Sequence, residues 1–167
     1  MSVQFIVATP YGYYGHWLKI EKAHWFDFNP TKRAVLSFYA AVSGYPELYL
    51  PQTFDDRQFF CEDVQSKPSM ELDKWLCKYH PELCEPYNAD IYVPNRFAKR
   101  IQVRLPCYIK NETDYYFGSS YVLLETIGMI SHHLEQQPNE AFSAQLEVLK
   151  EAAEVSIKEK QPIFSSY

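Results

Sequence analysis

The chain has 167 residues, a length that fits one globular domain over 1–167 with a sizeable core. A hydrophobic fraction of 47% and a charged fraction of 22% exclude disordered and fibrous classes. The net charge of -5 argues against nonspecific nucleic-acid binding, and no apolar run is long enough to cross a bilayer as a helix.

In chain order, residues 3–9 read as a short buried strand rich in Val, Ile and Phe. This start carries no basic leader, so no signal peptide is expected. The four cysteines, Cys61, Cys77, Cys84 and Cys107, are therefore expected as reduced thiols in the cytoplasm. Gly12 and Gly15 bracket a turn, and residues 16–20 and 24–28 read as returning strands. A helix follows, capped by Asn29, with Pro30 in its first position and Gly44 and Pro46 as its stop. Val35, Phe38, Tyr39 and Val42 form its apolar stripe.

The stretch from Tyr45 to Pro86 is irregular and accommodates two short helices. One is expected over Phe54–Val64 with Thr53 as cap. The other is expected over Ser69–His80, where Leu72, Trp75, Leu76 and Tyr79 share a face and Pro81 is the stop. Ala89–Val93 and Arg100–Leu105 read as strands. The second alternates, with Ile101, Val103 and Leu105 inward and Arg100, Gln102 and Arg104 outward. That pattern predicts a sheet with one wet face, antiparallel or mixed.

The last third reads as helical. Ser119 or Ser120 caps a helix to about Gln136, with Leu123, Ile127, Ile130 and Leu134 as its stripe. Pro138 opens a second helix to about Lys160, with Glu140 favourably placed in its first turn. Its apolar arc exceeds half the circumference, which calls for cover on two sides. Pro162-Ile163-Phe164 or another subunit can supply the second cover. The fold class is α+β: a small antiparallel or mixed sheet packed against these two helices and the helix after Asn29.

Aromatic residues make up 17% of the chain, densest at Tyr11, Tyr13, Tyr14, His16 and Trp17 around two glycines. Such rings present apolar area with polar tips while the glycines let the backbone bend, as a ligand-binding loop requires. The structural alternative folds the rings onto the sheet as core.

Three other constellations carry potential chemistry. Glu125 and His132 share the outward face of the first C-terminal helix with Tyr121 and Gly128, a pairing suited to acid-base work or to an ordinary solvated face. Cys77, His80 and Cys84 have metal-ligating side chains, with Cys61 or Cys107 as a fourth, but not at a common zinc spacing. No metal or cofactor is therefore expected. Arg100 and Arg104 lie in a segment, 96–110, with five basic residues and no acid, whereas 47–90 holds ten acids and four bases. They suit an anion or an acidic partner surface, or an internal pairing with the acidic middle region.

No phosphate loop, nucleophile elbow or His-Glu-x-x-His is present. The expected function is thus a non-catalytic binding protein that holds a partner protein or small molecule on the 11–17 aromatic loop. Two alternatives stand beside it: a small acid-base enzyme using Glu125 and His132, and a homo-oligomeric structural protein with the 138–160 helix at its interface.

Overall fold

The computed structural model describes residues 4–8, 57–60, 67–107 and 111–166. In chain order these form β1 (Gln4–Val7), β2 (Arg57–Phe60), α1 (Lys67–Tyr79), α2 (Pro81–Tyr87), β3 (Ile91–Val93), β4 (Ile101–Cys107), β5 (Asn111–Ser119), α3 (Ser120–Gln136), α4 (Glu140–Glu159) and β6 (Ile163–Ser166). The architecture is α+β. The sheet has the order β2-β1-β6-β3-β5-β4. It is mixed, because β3 runs parallel to β5 while every other neighbouring pair is antiparallel.

Strand alternation divides the sheet into two faces. Phe5, Val7, Phe59, Tyr92 and Ile163 point to the helices and join Leu72, Leu76, Leu83, Leu123, Ile127, Leu146 and Leu149 in one core. Ile91, Val93, Phe117 and Phe164 point the other way and form a second buried cluster with Ile6, Phe97, Ile101, Val103 and Tyr115 packed against it. The expectation of one wet face is corrected here. The sheet centre is apolar on both faces, as a strand such as Ile91-Tyr92-Val93, buried at all three positions, requires. The inward-outward alternation of β4 holds at 101–104, where Gln102 and Arg104 are exposed.

The two C-terminal helices form where their caps and stripes place them. The Ser119 side chain accepts from the Val122 amide at 3.3 Å, and Asn139 Oδ1 accepts from the Phe142 amide at 3.1 Å. Asn139 thus takes the capping position, one residue after the Pro138 of the sequence reading. The wide apolar arc of α4 is covered within the chain by α1, α3 and strands β1, β2 and β6. Ser156 ties the helix ends together. Its hydroxyl sits 2.8 Å from that of Ser120 and donates to the Gln161 carbonyl at 2.6 Å.

Three elements differ from the sequence reading. Residues 57–60 form a strand instead of part of a helix, because Phe59 meets Phe5 across the β1 ladder. Pro81 stops α1 but also starts α2 at its first position, where its missing N–H costs nothing. β5 and β6 were not expected. Neither shows a long alternating run, and both are stabilised by partners distant in sequence. The turn at Gly12 and Gly15, the strands expected at 16–20 and 24–28, and the helix after Asn29 lie outside the described residues.

Gly118 faces Tyr92 across the parallel β3-β5 pair. A Cβ at this position would sit 2.8 Å from Tyr92 Cδ1 and 3.1 Å from the Ala89 Cβ. The Tyr92 ring cannot retreat freely, because its hydroxyl donates to the Tyr87 carbonyl and accepts from the Ala89 amide. Gly118→Ala is therefore expected to lower stability by about 1–3 kcal/mol. Urea denaturation checks this; an unchanged midpoint would show that the β3-β5 contact is not tight.

Candidate functional site

A cleft of about 540 Å3 opens at the corner between α1 and α2, lined by Trp75, Tyr79, His80 and Gln137. Its walls come from the end of α1, the break before α2 and the residue that follows α3. Trp75 and Tyr79 are one turn apart on α1, with ring centroids 6.5 Å apart. His80 interrupts the helices in a non-helical conformation and places its ring 4.8 Å from Trp75. On its other side His80 stacks on His133 of α3 at 4.2 Å. Trp75 is anchored beneath by Phe142 of α4 at 6.1 Å.

The four rings of Trp75, His80, His133 and Phe142 therefore form a continuous wall held from three helices. Tyr79 stands out from it at 57% exposure. The Lys78 ammonium lies 4.8 Å above the Tyr79 ring, and the hydrogen bond to Tyr79 raises the lysine pKa. His80 Nδ1 lies 3.8 Å from Glu82, at the outer edge of the same corner. The arrangement offers a planar apolar group a stacking surface with amide and imidazole groups at its rim.

Cys77 and Cys84 are joined by a disulfide across this corner. The expectation of reduced thiols is corrected for this pair. The end of α1 and the middle of α2 bring their Cα atoms to 5.2 Å, within bonding reach. Neither sulfur is then a thiolate open to a metal, and His80 turns instead to Trp75 and His133. Among the described residues no group of three or more His, Cys, Asp or Glu side chains is placed to hold a metal ion.

The Glu125 and His132 pair is not brought to a common cavity. Glu125 accepts from Arg96 at 2.7 Å, and His132 pairs with Glu135 at 3.2 Å, each on the exposed surface. Their helix face carries the exposed Met129 and Gly128, and a Cβ at Gly128 would meet nothing within 4 Å.

The two arginines part company. Arg104 pairs with Asp114 directly across the β4-β5 ladder at 3.1 Å. Arg100 lies 4.0 Å over the Tyr116 ring and donates to the Asn88 carbonyl. It also faces Asp90, whose carboxylate accepts from the Tyr116 amide at 2.7 Å. The basic strand is thus partly matched inside the chain, at Asp114 and at Asp90. The aromatic loop residues Tyr11, Tyr13, Tyr14, His16 and Trp17 lie outside the described residues.

Sequence reasoning placed Trp75 and Tyr79 on an apolar helix face and did not single them out. The Trp-x3-Tyr-His run beside a proline was the available signal. What it could not supply was the approach of His133 and Phe142, which is tertiary.

Gly128→Ala is expected to raise stability by about 0.5–1 kcal/mol, because the glycine sits in open space in a helix interior. Chemical denaturation measures it. A loss of stability would mean that this face is closely packed in solution, as in an assembly.

The Asp90 carboxyl is raised above its ordinary value of 3.8, chiefly by burial, against the lowering effect of the Tyr116 amide and Arg100. The native state therefore holds this proton to higher pH than the unfolded chain. Between 3.8 and the raised value, stability falls as pH rises, and the cost is fully present above that window. Asp90→Asn keeps the acceptor for Tyr116 and loses this titration. Unfolding free energies of both proteins between about pH 4 and pH 7 test it. The wild type should lose ground to the variant as pH rises, and a gain would contradict the assignment.

No protein-family model, no curated protein and no solved structure matches the chain, so the reading of the cleft rests on its own geometry.

Proposed function

We propose that this chain is a non-catalytic binding protein that holds a planar apolar group on exposed aromatic side chains. The group belongs to a small molecule or to the aromatic side chain of a partner protein. The observation that carries the reading is the cleft at Trp75, Tyr79, His80 and Gln137, where a ring wall is held from beneath while Tyr79 projects into solvent. Tyr and Trp supply contact area at low conformational cost, and their tips bond to polar groups of an occupant. The Tyr11–Trp17 loop is the second aromatic surface of the same proposal.

A binding role also fits the charged side chains. Glu125 and His132 are each engaged in a separate exposed pair, so these two side chains do not converge on one acid-base site. Cytoplasmic placement is part of the proposal, and the Cys77–Cys84 bond bears on it. Disulfides persist in oxidising compartments, whereas those of the cytoplasm are mostly transient or redox-sensing.

Indole serves as the probe, since it carries a planar apolar ring and one N–H donor. Titration followed by the ring resonances of Trp75 and His80 should show binding. Tyr79→Ala should weaken it by about tenfold, the effect of losing one aromatic contact. Its melting temperature should be unchanged, because the side chain is exposed. The triple variant Tyr13→Ala, Tyr14→Ala, Trp17→Ala measures the contribution of the loop. Indole binding that ignores Tyr79→Ala, or no binding at all, would sink the assignment of the cleft.

A further inference from the structure

We propose that the Cys77–Cys84 disulfide is a redox clamp on the cleft, so that reduction by a dithiol remodels the wall formed by Trp75, Tyr79 and His80. The inference rests on the reading of this cleft as the binding site.

The argument begins with the chain path. The bond joins residues seven apart in sequence, and Tyr79 and His80, two of the cleft-lining residues, lie inside the ring it closes. His80 is the break between α1 and α2. Its amide donates to the Leu76 carbonyl at 2.7 Å, and its carbonyl accepts from the Leu83 amide at 2.9 Å and the Cys84 amide at 3.2 Å. These bonds and the disulfide together fix the angle at which the His80 ring leaves the corner. In that orientation it meets both Trp75 and His133.

A covalent bridge over so short a loop restricts little of the chain as a whole. The helices on either side have their own anchors, with Leu72 and Leu76 fully buried on α1 and Leu83 and Tyr87 buried on α2. Loss of the bridge is therefore felt at the corner and not in the core. The corner is where the cleft lies.

Access favours the same chemistry. Cys77 is exposed and Cys84 half-buried. A thiolate of the dithiol attacks Cys77 Sγ, the Cys77–Cys84 bond breaks, and the electron pair leaves on Cys84 Sγ, which takes up a proton. The second thiol of the reductant, as its thiolate, then attacks its own sulfur in the mixed disulfide and releases Cys77, which is protonated in turn. Two electrons and two protons pass to the cysteine pair, and the dithiol becomes a disulfide. With the ring open, Tyr79 and His80 are free to leave Trp75 and His133.

The test uses the full chain in three forms: oxidised, reduced with dithiothreitol, and the double variant Cys77→Ser, Cys84→Ser. Reduction should shift the ring resonances of Trp75, His80 and His133 and leave those of Tyr92 and Phe117 in place. Reoxidation should reverse the shift. The double variant should show the reduced pattern under both conditions. The indole affinity of the oxidised and reduced forms should differ by about fivefold or more. Ring resonances that ignore reduction would overturn the clamp. So would global loss of the folded spectrum, which would mark the bond as a structural staple, and so would free thiols at both positions after oxidation. If the rings respond to reduction but indole binds neither form, the clamp stands and the binding reading falls. If indole binds both forms equally, control of binding by the clamp is refuted.

Discussion

The ladder made by the last strand is the constraint on which the fold depends. Among the described residues, β1 and β2 on one side and β3, β5 and β4 on the other are joined only through β6. All four of its residues, Ile163–Ser166, pair with β1, and Ile163 and Phe164 pair with β3 as well. Their side chains alternate between the two cores, with Ile163 on the helix side and Phe164 on the other. The sheet therefore cannot close until the α3-α4 hairpin has delivered the C-terminal segment. Pairing of this kind needs loop closure before any contact offsets its entropic cost. The buried hydroxyls of Ser120 and Ser156 lie on this return path. Through Gln161 they fix where α4 gives way to β6, with Lys160 turning the chain in the left-handed region.

That requirement explains where the cleft can be. The middle of the helical layer is committed to covering Phe5, Val7 and Ile163, so Leu123, Ile127, Leu146 and Leu149 are fully occupied. The cleft lies instead at the corner between α1 and α2. There α1 stops, α2 starts and the last turns of α3 run past. Phe142 supports Trp75 from the first turn of α4, and His133 supports His80 from the last turns of α3. The ring wall here shares Phe142 with the core, and Trp75 packs against it. A single exposed aromatic needs no special explanation. Tyr79 differs because it stands beside a concave surface already lined by rings.

How much of this was legible in the sequence follows from which interactions are local. α3 and α4 could be read because caps, proline and a 3.6-residue stripe all lie within the segment itself. The alternation of β4 could be read for the same reason. β2 and β6 could not: Arg57–Phe60 and Ile163–Ser166 are too short to show a period, and ladder partners far along the chain decide their state. The wet face was over-read from a single edge strand: Gln102 and Arg104 are exposed on β4, but the strands at the sheet centre are apolar on both faces. Spacing alone sets Arg100 and Arg104 on one strand face as a pair. Spacing could not reveal that one would turn to Asn88 and Asp90 and the other to Asp114. The cleft was the least legible part, because its walls combine residues 75–80 with 133–142.

The charges do not hold this fold, but they limit what its surfaces do. Arg96–Glu125, Arg104–Asp114 and His132–Glu135 lie largely in solvent, where such pairs contribute at most about 1 kcal/mol each. The half-buried exception, Asp90 with Arg100 and the Tyr116 amide, lies at the entrance of β3 into the sheet. It adjoins a second anchor. Tyr92 bonds to the Tyr87 carbonyl, and the Tyr87 hydroxyl accepts from Gln145 of α4 at 2.7 Å. The end of α2 is thus fixed to both the sheet and α4, three residues beyond Cys84. A disturbance of the 77–84 ring meets this anchor before it can reach β3. The corner is free to respond while the sheet is not, and that separation is what a local control on binding requires.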